Sequence, residues 1–172
     1  RVIVGKTSRL LRIIRHIEFA VARPRRRGDF AGGQCSQLPF HFVHVIGRRA
    51  LISGHGPQSA DGAFALPLGK LGRELTVEQG YVEARLTALS ILGSLQRELG
   101  DLDRIAGWVR VFGMVNSATG FNQQPRVMNG FSDLILELFG PDRGAHSRSA
   151  VGMAELPFDL PVEIEAELEI EP

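Results

Sequence analysis

Arg148 opens the segment Ser147-Arg148-Ser149-Ala150-Val151-Gly152-Met153-Ala154, which is otherwise apolar or small. If this segment is a strand, its period of two puts Arg148, Ala150 and Gly152 on one face, so the guanidinium stands beside residues too small to fill the space next to it. A planar fork of N–H donors in such a space suits a carboxylate; the plainer alternative is an ion pair with a C-terminal glutamate. Glu163, Glu165, Glu167 and Glu169 share one face of the alternating run from Val162 to Ile170. Carboxylates in a row repel one another, and their ordinary role is a wet strand face matched by cations. Glu163 differs in position, because it follows Pro161 at the start of the run, where the preceding connection can bring it near Arg148. A partly buried carboxylate there can hold or activate a water.

Smaller groups complete the set. In Ser53-Gly54-His55-Gly56-Pro57 the small residues permit close backbone approach and the hydroxyl can hydrogen-bond a ligand, although the same residues also make an ordinary turn. Asn129, in Val127-Met128-Asn129-Gly130-Phe131, can donate into a site or satisfy nearby backbone groups. His55 and His146 are weaker acid/base candidates. No phosphate loop, CxxC pair, HExxH or GxSxG occurs, so the common nucleotide, zinc and serine-hydrolase signatures are missing. The single cysteine, Cys35, has no partner for an internal disulfide and belongs to no metal-ligand cluster, so neither a metal nor a cofactor is expected.

The elements that must position these residues follow from periodicity and punctuation. His41 to Ile46 and Ala50 to Gly54 flank Gly47-Arg48-Arg49 and predict a hairpin. Asp61-Gly62, Gly69 and Gly72 mark a loop excursion. Thr76 with Gln79 forms a capping box, and apolar residues then recur at helical spacing from about 77 to 98, before Gly100. Ile105 to Val115 reads as a buried strand, and Pro125 to Leu138 as a second helix stopped by Gly140-Pro141. Arg148 to Ala154 and Val162 to Ile170 close the chain as strands. The order ββαβαββ predicts an α+β sandwich with both helices on one face of a mixed sheet. The other face is left without a cover, a situation that another subunit commonly resolves.

With 172 residues, 44% apolar and 23% charged, the chain suits one cored domain. The net charge of +1 hides a segregation. Residues 1–37 hold nine basic against two acidic residues, a balance of +7, and the remainder holds eleven against seventeen, or −6. This divides the chain into a basic, flexible N-terminal extension (1–37) and a globular domain (38–172). Within the extension, Leu10, Leu11, Ile13, Ile14 and Ile17 alternate with arginines as a short amphipathic helix ending before Pro24, compatible with a presequence, a membrane-surface helix or a nucleic-acid arm. No apolar run of about 18 residues occurs, so no membrane-spanning helix is expected.

Leu51-Ile52-Ser53-Gly54, the helix opening at Thr76, the strand from Trp108 to Val115, and Arg148-Ser149-Ala150-Val151-Gly152 with Leu156-Pro157 and Val162-Glu163-Ile164-Glu165 together resemble the Rid family, also called YjgF or endoribonuclease L-PSP-like. The resemblance covers about residues 40 to 172, and Gly69-Lys70-Leu71-Gly72, Gly100 to Arg104, Val115-Asn116-Ser117 and Asn129 to Leu134 look like a longer, less characterised branch. It implies a chorismate-mutase-like fold and a homotrimer with ligand pockets between subunits; the cysteine usage, independently of the resemblance, makes a cytoplasmic location the expectation. It also implies hydrolysis of an enamine or imine carboxylate to a 2-oxo acid and ammonia. On that resemblance Arg148 is the carboxylate anchor, Glu163 the water-linked glutamate, and Ser53 and Asn129 substrate-binding residues; Gly54 joins them as a binding candidate because its small size permits close approach. The chain departs from the archetypal deaminases in three places: the one tyrosine is Tyr81, within the first helix; Ala150 stands where a cysteine often sits; and His55 and Pro57 alter the serine turn. A protein that binds or senses a small carboxylate without turnover is therefore the alternative expectation. Endoribonuclease activity ranks below both, because the body is acidic and has no basic patch interleaved with aromatics.

Overall fold

The computed structural model describes residues 39–59 and 62–171, so the basic extension, its expected helix and Cys35 lie outside the described residues. Strands β1 (Val43–Ile46) and β2 (Arg49–His55) form the expected hairpin across the two-residue turn Gly47-Arg48, with Gly47 at φ 59°. Glycine at the first turn position lets the strands keep their natural twist. Helix α1 (Val77–Leu99) starts on the complete Thr76/Gln79 capping box and ends at Gly100. Strand β3 (Ile105–Asn116), helix α2 (Gln124–Gly144), β4 (Ser147–Met153) and β5 (Val162–Ile170) follow. The regular part of α2 ends where expected: Gly140 takes φ 74°, ψ 177°, which breaks the helix, and Pro141 then opens one further turn to Gly144.

The five strands run in the order β1-β2-β5-β3-β4, with β3 and β4 parallel and the other pairs antiparallel, giving the expected mixed sheet. Both helices lie on one face. Ile52, Val111, Val115 and the even-numbered residues of β5 from Val162 to Ile170 meet Ala84, Ala88, Ile91, Leu92 and Leu95 of α1 and Val127, Met128, Phe131, Leu134 and Ile135 of α2 in one buried core. The helices touch each other closely: a Cβ on Gly130 would overlap the Tyr81 carbonyl oxygen and lie 2.8 Å from its carbonyl carbon.

The opposite face is not wholly bare, contrary to expectation. Met114, Leu156 and Leu160 form a second, smaller cluster with Phe64, Leu68, Phe112, Val151 and Met153, because the loop excursion and the β4–β5 connection fold over one end of that face. Lys70 fastens these two segments together, donating to Asn116 Oδ1 (2.9 Å) and to the Ala154 carbonyl, while Asn116 Nδ2 donates to Asp159 Oδ1 (3.0 Å). The rest of the face carries Leu51 and the glutamate row, of which Glu167 is matched by Arg49.

Candidate functional site

The candidate residues fall into two groups. The first sits where β4 passes beneath α2. Pro125, Asn129 and Ser132, spaced at four and three residues, present one helical face to the strand. Arg148 donates from Nη1 to Ser132 Oγ (2.9 Å) and from Nη2 to Asn129 Oδ1 (3.1 Å) and the Pro125 carbonyl (3.3 Å). Burial lowers the pKa of the guanidinium, and Asp133 opposes that shift. The group stays charged across the accessible pH range. Among the described residues Arg148 makes no salt bridge, so the plainer alternative of a pairing with the C-terminal glutamates is not what the fold builds.

The second group sits on the other face. Register along β2 and β5 slips between Ile52 and His55, which pair with Ala166 and Ile164, so Ser53-Gly54 carries one extra residue as a bulge. The bulge turns the missing side chain of Gly54 toward Glu163, whose carboxylate lies over it: a Cβ there would overlap Oε1 and stand 2.9 Å from Cδ. Burial, and secondarily the charge of Glu165, raises the Glu163 pKa above the ordinary carboxylate value. Ser53 Oγ donates to the His41 carbonyl (2.7 Å), which leaves its oxygen lone pairs as acceptors.

Glu163 does not approach Arg148 within one subunit. Arg148 is in register with Val111 and Glu163 with Met114, on a stretch of β3 without irregularity. Positions 111 and 114 differ by an odd number, so the two side chains leave the sheet on opposite faces. The structure thus brings Arg148 together with Asn129, and Gly54 together with Glu163, with Ser53 beside Gly54 in the bulge, and it separates the two sets.

Neither histidine is placed as a free acid or base. His55 is buried on the helix-covered face, with Nδ1 2.7 Å from the Ser53 carbonyl and Nε2 2.8 Å from Ser94 Oγ, and Arg97 donates to the same hydroxyl. A carbonyl only accepts, so Nδ1 carries the proton and Nε2 accepts from Ser94. Desolvation lowers the His55 pKa to about 4, so the ring is neutral and pins the bulge from behind. His146 has Nδ1 2.7 Å from the Gly144 carbonyl and Nε2 2.9 Å from Ser132 Oγ. Burial pulls its pKa down; the Gly144 hydrogen bond opposes and Arg148 assists.

Ser132, Ser94 and Arg97 are functional-site neighbours that the sequence pattern does not single out. For Ser132 a signal existed in its helical spacing from Asn129; for Ser94 and Arg97 the contact spans some 40 residues of chain and no local pattern announces it. Tyr81 donates its hydroxyl to Asp133 (2.9 Å), the neighbour of Ser132 whose charge acts on Arg148. Among the described residues no cluster of three or more His, Cys, Asp or Glu side chains is arranged to hold a metal, and no helix is long and apolar enough to cross a membrane.

Residues 35–162 match the family described as "YjgF/chorismate_mutase-like, putative endoribonuclease". A Trypanosoma cruzi protein, Protein TCP17, is 43% identical over 124 residues, which is 72% of this chain and 76% of that one. A crystal structure from Agrobacterium tumefaciens, of a protein with unknown function, superposes with a TM-score of 0.74 at 30% identity, covering 97% of this chain and all of the other. One from Shewanella oneidensis, described as a "putative endoribonuclease", gives 0.71 at 28% identity over 90% of this chain and 99% of that one.

Proposed function

Because the chain belongs to the YjgF/chorismate mutase-like family, we propose that it is a hydrolytic deaminase of reactive imine and enamine carboxylates, working as a homotrimer with its sites between subunits. The observation that carries this reading is the division of the candidate residues between two faces of one sheet. A ligand that touches both Arg148 and Glu163 must lie between two copies, with Arg148 and Asn129 from one and Ser53, Gly54 and Glu163 from the next.

In that arrangement Arg148 holds the substrate carboxylate, and Ser53 Oγ offers a lone pair to the imine N–H. Water attacks the imine carbon; Glu163, its pKa raised by burial, takes a proton from that water and passes it to the imine nitrogen. The carbon–nitrogen bond of the resulting amino alcohol then breaks. Glu163 takes the hydroxyl proton as the carbonyl forms and gives it to the departing nitrogen, which leaves as ammonia, and a 2-oxo acid remains. An enamine enters the same path after tautomerising to its imine.

The test is ammonia release from freshly generated 2-iminopropanoate and 2-iminobutanoate, with sedimentation to follow assembly. Acceleration by the native protein and its loss in Arg148→Ala, with the assembly unchanged, is the expected result. A fully active Arg148→Ala protein would overturn the assignment. The position of Tyr81, bound to Asp133 on the helical layer, favours a second reading in which the same pocket binds a small carboxylate without turnover; ligand would then be recovered unaltered.

A further inference from the structure

Around Arg148 the hydrogen bonds run in one direction only. The Gly144 carbonyl can only accept, so His146 Nδ1–H donates to it at 2.7 Å. The neutral ring then has a bare lone pair on Nε2, which takes the Ser132 hydroxyl proton at 2.9 Å. The Ser132 oxygen, its proton committed, accepts from Arg148 Nη1 at 2.9 Å. His146 reaches this position because α2 breaks at Gly140 and returns the chain toward its own third turn, and its ring packs edge-on against Phe131 with centroids 6.0 Å apart.

The other side of the guanidinium is held less firmly. Both Nη2 contacts are longer, at 3.1 and 3.3 Å, and among the described residues Nε has no acceptor. Nε–H and the neighbouring Nη2–H form the edge that a carboxylate grips with two parallel hydrogen bonds. We propose that Ser132 and His146 are positioning residues that brace Nη1, so that Arg148 keeps a fixed plane while the ligand takes the free Nε–H and displaces one of the longer Nη2 contacts. The inference rests on the reading of Arg148 as the carboxylate anchor. A flexible arginine would have to be ordered at the moment of binding, and the brace removes that cost beforehand.

The test uses the full chain and 2-oxobutanoate as the carboxylate probe, titrated by calorimetry. Ser132→Ala and His146→Phe each weaken binding about tenfold, the loss of one hydrogen bond in the chain. The double variant binds no more weakly than either single one, because both remove the same brace. Ser132→Thr keeps the hydroxyl and restores affinity. Native affinity in Ser132→Ala, or additive losses in the double variant, would overturn the brace. Nitrogen NMR of the unliganded protein decides the same point without a ligand: His146 is protonated on Nδ1, and the Arg148 Nη1 protons rotate slowly until Ser132 or His146 is replaced. A proton on Nε2, or Arg148 signals unchanged by both substitutions, would refute it. If the native protein binds no 2-oxobutanoate, the carboxylate anchor fails as a function, while these signals still decide the brace.

Discussion

Replacing Gly54 with alanine puts a methyl group into the space occupied by the Glu163 carboxylate, 2.9 Å from Cδ and 3.2 Å from Cγ, with overlap at Oε1. Carbon atoms rest about 3.5–4.0 Å apart, so the carboxyl group must retreat by about 1 Å. The carboxylate is the end of a flexible, half-buried side chain and can rotate away, so the cost in stability is small, about 1 kcal/mol, at the low end of that for overpacking a core. Catalysis is less forgiving, because a displacement of about 1 Å at a reacting group can lower a rate by about 100-fold. Gly54→Ala is therefore expected to melt within a few degrees of the native protein, to assemble normally and to lose about 100-fold in ammonia release from 2-iminobutanoate. Glu163→Ala should show the same loss, and the double variant Gly54→Ala/Glu163→Ala no more than either alone. Native activity in Gly54→Ala would refute the placement of Glu163 at the reacting centre. A severe loss of stability would refute the account of the bulge as a place where only the side chain must move.

His55 has a folded pKa of about 4 against an ordinary 6.5. Between those values the unfolded chain binds a proton that the folded one refuses, so the contribution is complete above about pH 6.5 and falls by about 3 kcal/mol as pH drops through 4. His55→Gln should flatten the melting temperature across that window, measured by thermal denaturation at stepped pH; an unchanged slope would sink the assignment. Glu83 behaves oppositely: it is buried, its Oε2 lacks a partner, and desolvation lifts its pKa to about 7. The folded protein holds that proton where the unfolded chain releases it, so stability falls as pH rises from about 4.5 to 7. Glu83→Gln should raise the melting temperature at pH 8 and leave it unchanged at pH 4; equal effects at both would contradict a protonated Glu83. Asp159 sits at φ 56° and accepts from the fully buried Asn116, so Asp159→Ala should cost about 1–3 kcal/mol by denaturant titration through the orphaned donor alone. Asp159→Asn, which keeps the acceptor and tolerates positive φ, should cost much less.

Local rules determine what the sequence reveals. A capping box needs only Thr76 and Gln79, a helix only its apolar recurrence, and a strand only its alternation, so every element of the sheet and both helices were legible, including the break at Gly140-Pro141. The candidate residues could also be named, since Arg148 beside Ala150 and Gly152, and Glu163 after Pro161, are unusual in their own segments. What tertiary structure alone decided was which of them meet. The face a strand residue occupies relative to one on another strand depends on the parity of their register, and that parity is set by pairing across the chain and by the extra residue at Ser53-Gly54. Arg148 and Glu163 therefore lie on opposite faces although the chain between them is short, while His55 meets Ser94 and Arg148 meets Asn129 and Ser132 through packing. Type and spacing are properties of a segment; juxtaposition is a property of the whole sheet, because hydrogen-bond register couples strands that no local pattern connects.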